Sequence, residues 1–392
     1  MSVRPLRFAI GFLSDVIQTG LGVLPFPVKT GLIRVGQPDR QSLVLVTCNF
    51  GLTVRRVLRA LRGLNAYLLV ANSRGINVWC AASGGHFTSD GVVSVVKTSG
   101  IGNLVEHRRL VLPQLSATGV ERSVVEQKTG WRVVFGPVYA EDIPAYLDNH
   151  YRKTERMRVV RFDLGQRLRM AFMWATPISV IPLVPLLIWW RHLALPFAAI
   201  VWGIALATFV AFPWLPARLF VAHSDKAPAG WIRYLVVFDP RAQKILGVWV
   251  AAVVGLVVYG GLVADWGWMT ILGWVLVSWA VGLLVGLDLA GSAPYYKSNL
   301  HEDRLLTVAL DADKCEGRAI CREVCPKGRL EVDSKAHKAS IISENECVQC
   351  GACIVQCPED ALAFVDGNGR RIPPDEIRRY KVSLLGERTR AP

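Results

Sequence analysis

The sequence predicts a multidomain chain: an N-terminal α/β domain, a block of about four transmembrane helices, and a C-terminal α+β domain organised by cysteines. Three observations predict it. Short apolar runs alternate with amphipathic stretches up to about residue 150, the pattern of a parallel, Rossmann-like sheet. Four apolar runs follow, each close to the ~20 residues a helix needs to cross hydrocarbon. Seven of the nine cysteines lie beyond residue 314. The expected boundaries are 1–165, 168–290 and 300–370, with 371–392 a basic tail.

The totals agree with this division. A length of 392 residues has room for two or three domains. Hydrophobic residues make up 52% of the chain, yet 45 Lys and Arg against 31 Asp and Glu leave a net charge of +14. Both facts fit if the apolar residues are gathered in bilayer spans and the basic ones flank them. Nucleic acid is the other usual partner of a basic protein, but no nucleic-acid motif is present. Arg4 and Arg7 precede only a short mixed segment interrupted by Asp15, so no secretory signal is visible.

Residues 1–40 read as irregular, broken by Pro25, Pro27 and Pro38. Ser42–Thr47 and Ala66–Ala71 read as buried strands, with a helix over Val54–Leu64 between them. Ser89 or Asp90 would cap a helix running to Val96. Asn103–His107, Leu110–Leu112 and Trp131–Phe135 read as strands, and Val120–Lys128 and Ala140–Tyr151 as helices. Ligands of such sheets sit off the carboxyl ends of the strands.

A basic collar at Arg152, Lys153, Arg156, Arg158, Arg161, Arg167 and Arg169 precedes the apolar runs Met170–Trp190, Leu193–Leu215, Ile245–Ala264 and Trp268–Leu287. Trp189, Trp190, Trp214, Trp266 and Trp268 mark their ends, as interfacial aromatics do. The collar and the basic residues of 216–244 predict a multi-pass protein of the cytoplasmic membrane with both soluble domains on the cytoplasmic side. A fifth span around Trp231–Phe238 would separate those domains, and is not expected.

Cys347, Cys350, Cys353 and Cys357-Pro358 have the C-x2-C-x2-C-x3-C-P spacing of a bacterial iron–sulfur run. Zinc ribbons separate their cysteine pairs instead of crowding four into eleven positions. Shifting the run back by 32 positions lands on Cys315, Arg318, Cys321 and Cys325-Pro326. The region Leu306–Val365 therefore resembles two-cluster ferredoxins. That resemblance implies one 4Fe–4S cluster on Cys347, Cys350, Cys353 and Cys325. A second site is left with Cys315, Cys321 and Cys357, for a 3Fe–4S cluster, a 4Fe–4S cluster with one exchangeable iron, or none. Arg318 stays protonated and is no ordinary ligand.

Cys80 lies in Ile76–Phe87, between an apolar run and a loop of small residues. Taken alone, it reads as a small buried hydrophobe. Its setting is more specific: Thr47, Arg74–Ala82, His107-Arg108-Arg109-Leu110, Leu112–Leu115 and Gly136-Pro137 together resemble the HgcA family of mercury-methylation corrinoid proteins, whose ferredoxin partner would here be fused to the same chain. The resemblance implies a corrinoid-binding α/β domain with Cys80 as lower ligand of cobalt on a cap helix. Thr47, Asn77, Val78, Trp79, Ala81, Ala82, Gly85 and His86 would be cofactor contacts. It also implies methyl transfer to inorganic Hg(II), favoured by electron donation from a thiolate, with the ferredoxin part re-reducing the corrinoid.

Three departures from the family pattern are visible. Ser83-Gly84-Gly85-His86-Phe87 stands where the family has Gly-Lys-Gly-Thr-Phe, the tail Leu384–Pro392 lacks a vicinal cysteine pair, and Arg318 replaces a cluster ligand. They leave open a different methyl acceptor, or a membrane electron-transfer protein without a corrinoid. Cys48 is a candidate substitute thiol or a buried strand residue, and Arg370, Arg371, Arg378, Arg379 and Lys381 read as a solvated or lipid-facing surface. The expected partners are a methyl donor, an electron donor and membrane lipid.

Overall fold

A computed structural model of the chain describes residues 13–22, 24–214, 243–289, 306–342, 347–366, 369–382 and 388–390. Two compact units emerge. One comprises described residues of 13–24 and 162–289; the other joins residues 25–161 to the C-terminal cysteine region.

In the second unit, β1 (Gly31–Val35), β2 (Leu43–Cys48), β3 (Ala66–Ala71), β4 (Arg109–Leu112) and β5 (Arg132–Phe135) form a sheet of order β1-β3-β2-β4-β5. Strands β2 to β5 are parallel, and β1 is an antiparallel edge on β3. Every residue of β2 and β3 is buried, as strands covered on both faces must be. The order reverses between β2 and β4, so the switch point lies at the ends of those two strands.

Several elements differ from the sequence reading. Residues 13–20 are helical and β1 is a strand, so the first forty residues are not simply irregular. In the sheet-bearing unit, the helix after β2, α1, is Gly51–Ala60 and stops before Leu64. Asn103–His107 is no strand: Gly100, at φ +67°, starts a 3-10 turn over Ile101–Asn103, and the carbonyls of Gly102, Val105 and His107 accept from the Arg108 guanidinium. The stretch at 140–151 is a 3-10 turn followed by a short helix, Ile143–Asp148, and ends where His150 and Tyr151 take positive φ.

Around Cys80 the chain forms the cap helix α2 (Val78–Ser83), followed by α3 (Ser89–Thr98), which Thr88 caps through Gly91 N, ahead of Ser89 and Asp90. Helix α4 is Arg122–Thr129, starting two residues later than read from the sequence.

The first unit contains α6 (Leu164–Trp189), α7 (Arg191–Val210), α8 (Gln243–Leu262) and α9 (Trp268–Leu289), α5 being Ile143–Asp148. All four are long and apolar enough to cross a membrane. Pro177, Pro182 and Pro185 lie inside α6, which neighbouring helices and local adjustment make tolerable in a bilayer. The region proposed for a fifth span lies outside the described residues.

The cysteine region supplies β6 (Thr307–Leu310), α10 (Ile320–Val324), β7 (Leu330–Asp333), β8 (Lys338–Ile341), α11 (Ala352–Val355), β9 (Leu362–Val365), β10 (Arg371–Ile372) and α12 (Pro374–Arg379). The 32-residue repeat is visible in the backbone. Gly317 and Gln349 are both left-handed, as are Ala319 and Gly351, the N-caps of α10 and α11. Arg329 N donates to Cys325 Sγ at 3.3 Å, and Ala361 N to Cys357 Sγ at the same distance. The expected tail is folded into the unit as far as α12: Arg378 binds Asp360 at 2.6 Å and lies 3.7 Å from Glu121, so it is not a merely solvated residue.

Candidate functional site

The cap helix is held at both ends. Asn77 Oδ1 accepts from Cys80 N at 3.0 Å, closing the first turn. Behind it, Asn49, just past β2, accepts from Ser73 N and Gly75 N, each at 2.9 Å. Sequence reasoning missed Asn49, because an amide that anchors a loop across 24 positions leaves no spacing signal. Gly75 is required here: φ is +72°, and a Cβ would lie 2.5 Å from Pro27 N. At the far end, the N–H groups of His86 and Phe87 both donate to Ala81 O, folding the loop back on the helix. Replacing Asn77 by alanine is expected to cost about 1 kcal/mol and to speed hydrogen exchange across Val78–Ser83.

The helix rests on the 3-10 turn Gln114–Ser116 that follows β4. Gly119 makes the approach possible, since a Cβ there would meet Ala82 O at 2.5 Å and Phe87 O at 2.7 Å. Both are backbone atoms, so Gly119→Ala is expected to displace the cap and lower the melting temperature by several degrees, about 4 °C or more if the strain exceeds about 2 kcal/mol. Unchanged melting would contradict this packing.

Val78 and Trp79 are buried, Ala81 and Ala82 have no exposed surface, and Cys80 alone of these five is half-buried. Gly85 is buried at φ +74°, and Thr47 is buried in β2 opposite Val70. Trp79 Nε1, Ser83 Oγ and His86 Nδ1 are buried without a hydrogen-bond partner. Three such atoms within eight residues require an explanation. Burial, with Arg74 second, lowers the His86 pKa. Cys48 is fully buried at the end of β2, and burial pushes its thiol up, so it is the strand residue and not an accessible substitute thiol.

The cysteines of the C-terminal region sort into neighbourhoods. Cys350 feels Cys325 and Cys347; Cys353 feels Cys350, Cys347 and Cys325, then Cys321. Burial is the first cause raising both thiols. Cys321, pushed up to about 11 mainly by burial, feels Cys357 and Cys315. Among the described residues, no three His, Cys, Asp or Glu side chains converge on a point that would hold a single metal ion.

The two regions share a core. Val324 and Ala352 belong to the same apolar cluster as Cys48, Ala81, Ala82, Phe87 and Leu112, and Cys350 packs against it. Gln356 Nε2 donates to Ala117 O at 2.8 Å and Val120 O at 2.7 Å, while its Oε1 accepts from Arg122 N at 3.1 Å. Lys153 Nζ donates to Gln114 Oε1 and Glu323 O, and Arg158 lies 3.5 Å from Glu323. Part of the basic collar therefore serves this contact; Lys153, Arg158 and Arg161 are paired within the unit.

Burial pulls Lys153 down from 10.5 to about 8, against the opposing effect of Glu323. Between those values the unfolded chain keeps a proton that the folded unit has released, so stability rises with pH from about 8 and is flat below it. Tyr146, raised to about 12 mainly by burial, acts oppositely above pH 10. Denaturant titrations from pH 7 to 10 are expected to show this rise, and Lys153→Met to flatten it; parallel profiles would refute the assignment.

Residues 22–147 match the family model of the CO dehydrogenase/acetyl-CoA synthase delta subunit, and residues 340–363 that of a 4Fe–4S binding domain. The acetyl-CoA decarbonylase/synthase complex subunit gamma of Methanopyrus kandleri is 38% identical over 126 residues, 32% of this chain and 27% of that relative. The Archaeoglobus fulgidus subunit is 33% identical over 133 residues, 33% and 28%. The corrinoid/iron–sulfur protein large subunit of Moorella thermoacetica is 31% identical over 125 residues, 31% and 28%. The chain thus spans little more than a quarter of the length of these relatives. Its α/β part is similar to theirs, and its C-terminal part carries a 4Fe–4S binding domain.

Proposed function

We propose that this chain is a membrane-bound corrinoid methyltransferase that carries its own two-cluster ferredoxin and passes a methyl group to inorganic mercury(II). The observation that carries the reading is the cap helix: one half-open thiol, Cys80, with three unpartnered buried polar atoms on residues within six positions of it in the chain. These residues fit a flat macrocycle bearing amide side chains. Trp79 Nε1 can only donate, Ser83 Oγ can do both, and neutral His86 offers either role at Nδ1 according to tautomer. Ala81 and Ala82 are packed in the apolar core that supports the helix. When bound, the corrinoid supplies a cobalt centre that carries the methyl group.

Cys80 would face the metal as thiolate and donate charge to it, which favours release of methyl to a soft cation. The cluster ligands proposed are Cys325, Cys347, Cys350 and Cys353, with Cys315, Cys321 and Cys357 at the second site. Cys350 packs on the core beneath the cap, so an electron would enter the α/β part from within the same folded unit. The fused arrangement raises the effective concentration of donor to roughly millimolar for a short tether. The four apolar helices would anchor the chain in the cytoplasmic membrane, with both soluble parts on the cytoplasmic face and separate methyl and electron donors approaching there.

One observation favours a second acceptor. Gly84 and His86 replace the family's lysine and threonine beside the cap, which alters the charge that an incoming ion meets. The test is direct: purify the chain after expression with cobalamin, measure cobalt and the visible spectrum, methylate it and add Hg(II). Methylmercury above a Cys80→Ala control is expected. Cobalt near zero would leave only an electron-transfer protein, and cobalt without methylmercury would leave a corrinoid protein with another acceptor.

A further inference from the structure

The second cysteine site differs from the first in one position, and its surroundings indicate what that difference does. Cys315, Cys321 and Cys357 line one small cavity together with Gly317, Arg318 and Glu359. By the 32-residue repeat, Arg318 occupies the place that Cys350 has in the first site. The backbone around it is conserved between the halves, left-handed at 317 and 319 as at 349 and 351. The loop is therefore built as a ligand loop, and only the side chain has changed.

That side chain is held. Arg318 Nη2 binds Glu316 at 2.7 Å and Arg318 Nε binds Glu359 at 2.6 Å. Glu359 Oε2 lies 4.0 Å from Cys357 Sγ and would otherwise offer the site an oxygen ligand. A guanidinium has no lone pair to offer iron, and its pairing engages the carboxylate that has one. Three thiolates match the three irons of a 3Fe–4S cluster, one each, and leave the missing corner beside a fixed positive charge.

We propose that the Cys315, Cys321 and Cys357 site holds a 3Fe–4S cluster, with Arg318, clamped by Glu316 and Glu359, standing at the vacant corner. This rests on the iron–sulfur reading of the C-terminal region and deepens it. The guanidinium beside the corner disfavours entry of a fourth, cationic iron, and among the described residues the repeat offers no fourth thiolate there.

The test is anaerobic reconstitution of the full chain in detergent with excess iron and sulfide, followed by iron analysis and electron paramagnetic resonance. The wild type is expected to hold about seven irons per chain and to show, when oxidised, a paramagnetic signal that 4Fe–4S clusters lack. Arg318→Cys is expected to raise the count to about eight and abolish the signal. Cys315→Ser, which needs no new ligand loop, should remove the signal and leave about four irons. A wild type with about eight irons and no oxidised-state signal, or with about four, overturns the proposal. A chain that takes up no iron would instead overturn the iron–sulfur reading itself.

Discussion

Cys80→Ala is expected to lower methyl transfer by more than the roughly 10–100-fold that loss of an outer-shell partner costs a metal site, while leaving the fold in place. Residue 80 is the third position of the cap helix, and its backbone N–H is already satisfied by Asn77 Oδ1. Alanine is the best helix former, and the thiol is only half-buried. The stability cost should therefore stay below about 1 kcal/mol. A side chain that matters only to packing would give the opposite result, with lower stability and unaltered transfer. Cys80→His refines the comparison. Imidazole is a neutral donor, so cobalt should be retained, with a changed visible spectrum and slower transfer. If Cys80→Ala transfers methyl at the wild-type rate, the thiol is not the ligand and the cap helix has another purpose.

What the sequence made legible follows from how local each signal is. The cluster run could be read because four thiolates must converge through a short loop, which fixes their spacing. The repeat could be read because both halves repeat it, down to Arg329 N on Cys325 and Ala361 N on Cys357. Strand β3 could be read because both its faces are covered, leaving an unbroken apolar run at Ala66–Ala71. Asn103–His107 misled because Val105 is buried and Leu104 half-buried by a turn, with an arginine side chain taking the carbonyl bonds that a ladder would. The residues that join the two soluble regions had no signature at all. Gln356 lies inside the ligand run and Lys153 inside a basic stretch, and each takes its role from partners far away in the chain. The collar accordingly reads from sequence only as a marker of the cytoplasmic side, although Lys153 and Arg158 face Glu323.

Gln356→Leu is expected to uncouple the cysteine region from the α/β part without disturbing a single thiol. The side chain is 6% exposed, and all three of its bonds cross to residues 117–122. Leucine of similar volume leaves two carbonyls buried without partners and the half-buried Arg122 N–H without its acceptor. At about 1–3 kcal/mol for each stranded group, the docked state should lose roughly 3 kcal/mol or more. The Arg378–Glu121 contact nearby is long at 3.7 Å and partly solvated, so it should not compensate. Hydrogen exchange is expected to quicken at residues 117–122 and 352–357 together, with iron content unchanged. Re-reduction of the α/β-bound centre should slow in the same variant, because the electron donor is no longer held against it. Gln356→Glu separates bonding from packing: burial raises the pKa of such a carboxyl, and its protonated form donates one bond. Protection should then return as pH falls through that raised value. Exchange that stays at wild-type rates in the leucine variant would mean that the apolar contacts of Val324, Ala352 and Cys350 hold the two regions together by themselves.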